Sequence, residues 1–287
     1  MESVKNDPER SVLVTGCSSG IGRAVALGLK KRGYRVFATA RQLADVALLE
    51  EEGLEALPLD LRDSGSIRLA MKQVVAATGG TLYGLFNNAA YGQPGAVEDL
   101  RREVLQEQFE TNLFGTHELT TLALMIMRHQ GYGRIIHNSS LLGYVALPYR
   151  GAYNASKYAL EGLTDTLRLE LLGSNIHVSL IEPGPISSRF RANAYAAFQR
   201  NISPEQSVHR ANYQAMVKRF TTPGPVSPFT LKAEAVLPKV IHALENPRPR
   251  ARYPVTFPAH LFLLLRRCLP GGVLDQLLRW IGEAERR

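Results

Sequence analysis

Five residues, Ser11-Val12-Leu13-Val14-Thr15, run straight into the turn Gly16-Cys17-Ser18-Ser19-Gly20-Ile21-Gly22, and helical spacing resumes at once in Arg23-Ala24-Val25-Ala26-Leu27-Gly28-Leu29. A buried strand that turns on glycines directly into a helix leaves few folds open. Strands covered on both faces belong to parallel sheets with helices above and below. The turn also aims backbone N–H groups and the positive end of the helix dipole at one point, where a phosphate can sit. Gly16, Gly20 and Gly22 allow close approach there, with Ser18, Ser19 and Ile21 between them. Their spacing, G-x-x-x-G-x-G, is a variant of the dinucleotide pattern G-x-G-x-x-G.

Short apolar runs recur down the chain, with strands expected near residues 11–15, 34–39, 54–59, 82–87, 133–139, 176–182 and 252–256 and helical stretches between them. The expected fold is a single-domain α/β protein with a doubly wound parallel sheet of about seven strands. A chain of 287 residues has no linker-like stretch in the motif region. The reading is an N-terminal tail over 1–10, one domain over 11–257 with a helical substrate segment at 188–229, and a basic C-terminal extension over 258–287. Long helices are expected near 101–128 and 152–173.

The second strand ends in Thr39-Ala40-Arg41-Gln42, where a carboxylate would grip a ribose 2′-hydroxyl, and the first acid beyond it is Asp45. A guanidinium suits a 2′-phosphate, so Arg41, helped by the hydroxyl of Ser19, argues for NADP over NAD. Further on, Tyr153 and Lys157 are four residues apart and share a helix face. A phenol is a poor acid at neutral pH, but an adjacent cation favours phenolate, and Lys157 together with a cationic cofactor ring is expected to lower the Tyr153 pKa. Ser140 can hold the oxygen of a carbonyl or alcohol while the proton moves.

These motifs, together with Asp60, Asn87-Asn88-Ala89-Ala90, Asn112 and Pro183-Gly184-Pro185-Ile186-Ser187-Ser188, resemble the short-chain dehydrogenase/reductases in order and interval from residue 15 to residue 188. The resemblance implies a Rossmann-type fold and a tetrad. Tyr153 would be the general acid, Lys157 would hold the nicotinamide ribose, Ser140 would polarise the carbonyl, and Asn112 would retain a water linking the lysine to solvent. It implies cofactor contacts at Asp60 and Leu61 for the adenine, at Asn88 and Ala89 for the ribose region, and at Pro183, Gly184, Ile186 and Ser188 near the carboxamide. Two positions depart from the usual pattern: Ala90 replaces a glycine, which puts any role needing positive φ in doubt, and Ser188 replaces a threonine. Over residues 10 to 280 the chain is most similar to the 17β-hydroxysteroid and retinol dehydrogenase branch, and within it to bacterial NADP-dependent aldehyde reductases.

The expected activity is NADPH-dependent reduction of a lipophilic aldehyde or ketone. Leu141, Leu142, Tyr144, Val145 and Pro148 are expected to form an apolar wall, with Tyr195, Phe198, Tyr213 and Met216 either lining the pocket or packing as core. The alternatives are a hydroxysteroid or retinol dehydrogenase and a non-catalytic NADP-binding regulatory protein. No H-e-x-x-H or C-x-x-C spacing occurs, so no metal is expected.

The formal charge is +8, and from Arg248 onward eight arginines face three acids. That extension mixes arginines, aliphatic residues and Trp280. It falls short of the ~20 apolar residues a membrane span needs, which leaves peripheral contact with anionic lipid, a pocket cap or packing on its own domain. Charge without readable groove or stacking elements argues against nucleic acid. Two unpaired thiols and a polar N-terminus suggest a cytoplasmic protein, possible membrane association aside. The resemblance implies a homodimer or homotetramer through the two long helices.

Overall fold

The computed structural model describes residues 10–225 and 227–284. The expected N-terminal tail up to residue 9, and Glu285, Arg286 and Arg287 of the extension, lie outside the described residues.

Seven strands form one wholly parallel sheet: β1 (Ser11–Val14), β2 (Arg35–Ala40), β3 (Glu55–Pro58), β4 (Gly84–Asn87), β5 (Gly133–Asn138), β6 (Ile176–Glu182) and β7 (Arg252–Pro254), in the order β3-β2-β1-β4-β5-β6-β7. The winding direction reverses between β1 and β4, and such a reversal opens a crevice beyond the strands' carboxyl ends. Alternation within the strands builds two cores. Val12, Val14, Val36, Ala38 and Ile136 face one side, under α1 (Gly20–Lys31), α2 (Leu43–Glu51) and, later in the chain, Leu237–Glu245. Leu13, Phe37, Leu85 and Ile135 face the other, under α3 (Ser64–Thr78) and the helices that follow it. Each fully buried aliphatic side chain contributes about 1.5–3 kcal/mol.

The first expected long helix is two, α4 (Arg102–Phe109) and α5 (Gly115–Gln130), joined by a π turn at Glu110–Phe114 that keeps the chain helical but adds a residue to the turn. The second is α6 (Gly151–Glu170). The substrate segment folds into α7 (Phe190–Asn201) and α8 (Arg210–Thr221), and α9 is Leu237–Glu245. The chain continues through α10 (Phe257–Cys268) and α11 (Gly271–Ala284).

These last helices pack on the segment between Ser140 and Tyr153. Phe262, Leu263, Leu274 and Leu278 meet Leu141, Leu142, Tyr144 and Val145. The Tyr144 hydroxyl donates to the Ala259 carbonyl at 2.6 Å, and Arg266 donates to the Tyr144 carbonyl. Tyr144 and Val145 are therefore covered by the extension and do not form a free pocket wall. Tyr195, Phe198, Tyr213, Met216 and Phe220 likewise pack on one another as a small core of their own. Among the described residues no helix is long and apolar enough to cross a membrane.

Candidate active site

The glycine turn is built by close approach. A β-carbon on Gly22 would lie 2.2 Å from the Gly16 carbonyl oxygen, and one on Gly16, at φ +71°, would lie 2.8 Å from the Ala89 backbone. Thr15, which sequence reasoning passed over, fixes the turn to the end of β4: its Oγ1 accepts from the N–H groups of Asn88 and Ala89 at 2.9 Å each. Ser19 sits at the N-cap of α1 in extended conformation, with its side chain not used for capping, and the first turn of α1 has no acid. The turn therefore presents a hydroxyl, helix N–H groups and the positive dipole end, a set that fits a phosphate. A cavity of about 380 Å³ lined by Ser18, Ser19, Arg23, Asp45 and Arg189, among others, opens beside it.

Arg41, at the end of β2, is exposed, with no ion pair among the described residues, and its charge is felt at Asp60. Asp60 is bound twice by the Arg62 guanidinium, at 3.2 and 2.9 Å, which holds its carboxyl below the usual range. Leu61 is buried in the core, so only its backbone can face a ligand. The Asn88 side chain is spent inside the protein: its Nδ2 donates to the carbonyls of Thr15 and Gly16, and its Oδ1 accepts from Asn138. It braces the turn, and its amide is not free for a ribose. Ala90 takes a negative φ, so the missing glycine introduces no strain.

Tyr153, Ser140, Lys157 and Asn112 converge at the carboxyl end of β5. Ser140 caps a 3₁₀ turn at Leu141–Gly143, its Oγ accepting from the Leu142 N–H at 3.1 Å, and its hydroxyl lies close enough to Tyr153 to favour the phenolate. Lys157, one turn below Tyr153, is buried and donates to the Asn138 carbonyl at 2.7 Å. Its Nζ lies 5.8 Å from the centre of the Tyr153 ring. Within the chain itself, burial outweighs the Ser140 hydroxyl and the Arg150 charge and pushes the phenol up to about 12. Burial also pulls Lys157 down to about 8, opposed by the charge of Glu161.

Asn112 lies in the π turn, where its side chain bonds the Tyr91 backbone in both directions, at 3.1 and 2.9 Å, and donates to Ser156 Oγ at 3.1 Å. It thereby ties α6, next to Lys157, to the loop after β4. The Pro183-Gly184 turn closes on the same place. The Pro183 carbonyl accepts from the Leu141 N–H at 2.9 Å, and a β-carbon on Gly184 would lie 2.1 Å from Thr256 Oγ1. Ile186 bridges to Leu231, and Ser188 Oγ accepts from the Phe190 N–H at 3.2 Å.

Two neighbours were not anticipated. Phe190 stacks edge-on against Tyr153 with ring centres 5.3 Å apart, and Arg189 reaches back to the Ser18 carbonyl at 2.5 Å. Aromatic and basic residues after the Pro-Gly turn were visible in the sequence, but the contacts they make depend on how α7 folds over. Cys17, at the turn, is buried and pushed up to about 12, which makes it inert. No cluster of metal-ligating side chains occurs among the described residues.

Comparison with known proteins agrees with this geometry. The chain is 42% identical over 271 residues to the uncharacterized oxidoreductase YbbO of Escherichia coli (strain K12), with 94% of each chain covered. It is 33% identical over 277 residues to human 17-beta-hydroxysteroid dehydrogenase type 1, covering 89% of this chain and 79% of the human one. A solved short-chain dehydrogenase from Streptomyces avermitilis superimposes with a TM-score of 0.73 at 27% identity, covering 96% and 94%. A solved actinorhodin polyketide ketoreductase with NADPH superimposes at 0.70 and 28% identity, covering 86% and 95%. Residues 10–198 match the family model for short chain dehydrogenases. A parallel sheet that winds outward from β1 and β4, with Tyr153 and Lys157 brought to its carboxyl edge, is thus the fold of an oxidoreductase, and the chain belongs to the short chain dehydrogenase family.

Proposed function

We propose that this protein is an NADP(H)-dependent reductase of lipophilic aldehydes or ketones. The observation that carries the reading is Tyr153 brought close to Ser140 with buried Lys157 one turn away and the Phe190 ring as apolar wall. When bound, a reduced nicotinamide supplies the hydride that reaches the carbonyl carbon. The Ser140 hydroxyl holds the carbonyl oxygen, and Tyr153 gives it a proton. A phenol raised to about 12 still donates downhill to the far more basic alkoxide. Gly16, Gly20, Gly22, Ser19 and Ser188 would hold the phosphates and the carboxamide end, and exposed Arg41, with no ion pair among the described residues, supports a 2′-phosphate.

A second reading, a hydroxysteroid dehydrogenase, draws support from the human steroid enzyme of related sequence. Exposed Phe114 and Met125 on the π turn and α5, and Leu163 and Leu169 on α6, support pairing of two copies through these helices.

NADPH oxidation by the purified protein, followed over aldehydes of increasing length with steroid ketones and retinal alongside and NADH in parallel, tests the proposal. Turnover that rises with chain length under NADPH is the expected result. Tight NADPH binding with no turnover on any substrate would turn the reading toward a non-catalytic nucleotide-binding protein.

A further inference from the structure

Behind Lys157 lies a charged cluster that the proton transfer above does not use. Arg252, on β7, donates to Glu182 Oε1 at 2.7 Å and to Asp165 Oδ2 at 2.5 Å, and it also pairs with Glu161. Glu182 ends β6 with no exposure, and the Glu161 side chain on α6 is 8% exposed. Two buried carboxylates and the partly exposed Asp165 thus share one guanidinium, and a buried ion pair is one that apolar side chains of similar volume often replace without loss of stability. Its atoms are also incompletely paired. Glu182 Oε2, Glu161 Oε1 and Ser139 Oγ are buried without a hydrogen-bond partner. Glu161 Oε1 and Ser139 Oγ face each other under Gly143, where a β-carbon would lie 3.1 and 2.7 Å from them. This is the 3₁₀ turn that follows Ser140, and Glu161 stands one helical turn beyond Lys157. The cluster therefore adjoins the elements that carry two members of the candidate site.

We propose that Glu161 is a positioning residue: its carboxylate, fixed by Arg252, is the counter-charge that keeps buried Lys157 an ammonium and so sets the alkaline limit of proton donation by Tyr153. The inference rests on the reading of Tyr153 and Lys157 given above. The titratable groups around the lysine leave Glu161 that part. On α6 they are Tyr153, Glu161 and Asp165. On β5, His137 is driven down to about 3 and is neutral, with His117 of α5 beyond it. Burial raises the Glu161 carboxyl and Arg252 on β7 pulls it back toward the ionised form, while Glu182 on β6 and Tyr144 past the 3₁₀ turn lie around the same cluster. Burial alone depresses Lys157, and Glu161 is the charge that opposes it.

Glu161→Gln tests this in the full-length protein. Side-chain ¹⁵N-lysine NMR, with the Lys157 signal assigned by its loss in Lys157→Arg, is expected to show Lys157 titrating roughly one pH unit lower, a tenfold change in proton affinity. The alkaline limb of kcat/KM should move down with it. Glu182→Gln, which removes a carboxylate held by Arg252 and not adjacent to the lysine, should move both by less. An unchanged Lys157 titration in folded Glu161→Gln, or a loss of rate equal at every pH, would overturn the proposal and leave Glu161 a scaffold residue. Should Glu161→Gln fail to fold, Glu161→Asp retains the charge with shorter reach and should shift the titration the same way by less; no shift there overturns it too. The NMR titration needs no substrate, so absence of carbonyl turnover would count against the proposed function and not against this coupling.

Discussion

Ser188 stands over Gly20: a β-carbon built on the glycine would fall 2.8 Å from Ser188 Cβ. Residues at opposite ends of the motif region thus meet across one gap. Gly20 is also at φ +58°, where an L side chain costs about 1–2 kcal/mol. Gly20→Ala should therefore lower stability by about that amount and weaken NADPH binding at least ~10-fold. Calorimetric titration and thermal unfolding check both.

Arg41→Asp replaces an exposed cation at the end of β2 by a group that repels phosphate. A charge-assisted hydrogen bond contributes about 1.5–3 kcal/mol, so the preference for NADPH over NADH should fall by roughly 10- to 100-fold. The ratio of kcat/KM for the two cofactors measures it; an unaltered ratio removes Arg41 from the 2′-phosphate.

Tyr153→Phe removes the hydroxyl beside Ser140 and leaves the ring against Phe190. NADPH affinity should hold within about twofold while kcat drops by roughly 10²–10⁴. Retained turnover would sink the proposed acid.

His137 supplies a pH dependence of stability. Its ring is buried, with Nδ1 3.2 Å from the Asn87 amide, and burial holds it neutral down to about pH 3. The unfolded chain protonates the same ring near its ordinary value of ~6.5. The unfolded state therefore binds more protons in acid. The contribution is present in full above about pH 6.5 and is lost as pH falls toward 3, at up to about 1.4 kcal/mol per pH unit. Thermal unfolding of His137→Gln should fall less steeply than wild type between about pH 6.5 and 4.5. Parallel curves would mean that other groups carry the acid sensitivity.

The sheet was legible because strands buried on both faces read as continuous apolar runs, as Val178-Ser179-Leu180-Ile181 does. The glycine turn was legible because close backbone contact forbids side chains there. The π turn at Glu110–Phe114 was not, since a one-residue skip leaves the apolar spacing on either side of it intact. The covering of Tyr144 and Val145 was hidden for another reason: its partners on α10 and α11 lie more than a hundred residues away. The Tyr153 phenol escaped because spacing places it near Lys157 but does not reveal how deeply the pair is buried or that the Asn138 carbonyl takes the ammonium.

The hydrogen bond from Tyr144 to the Ala259 carbonyl also orders events during synthesis. A ribosome has made Ser140, Tyr153 and Lys157 more than a hundred residues before it makes the acceptor that fastens the loop between them. At about 5–20 residues per second, the emerging chain spends several seconds with its sheet forming and that loop untethered. A nascent chain stalled before α10 would carry every proposed catalytic group and lack the brace that holds the Ser140–Tyr153 loop.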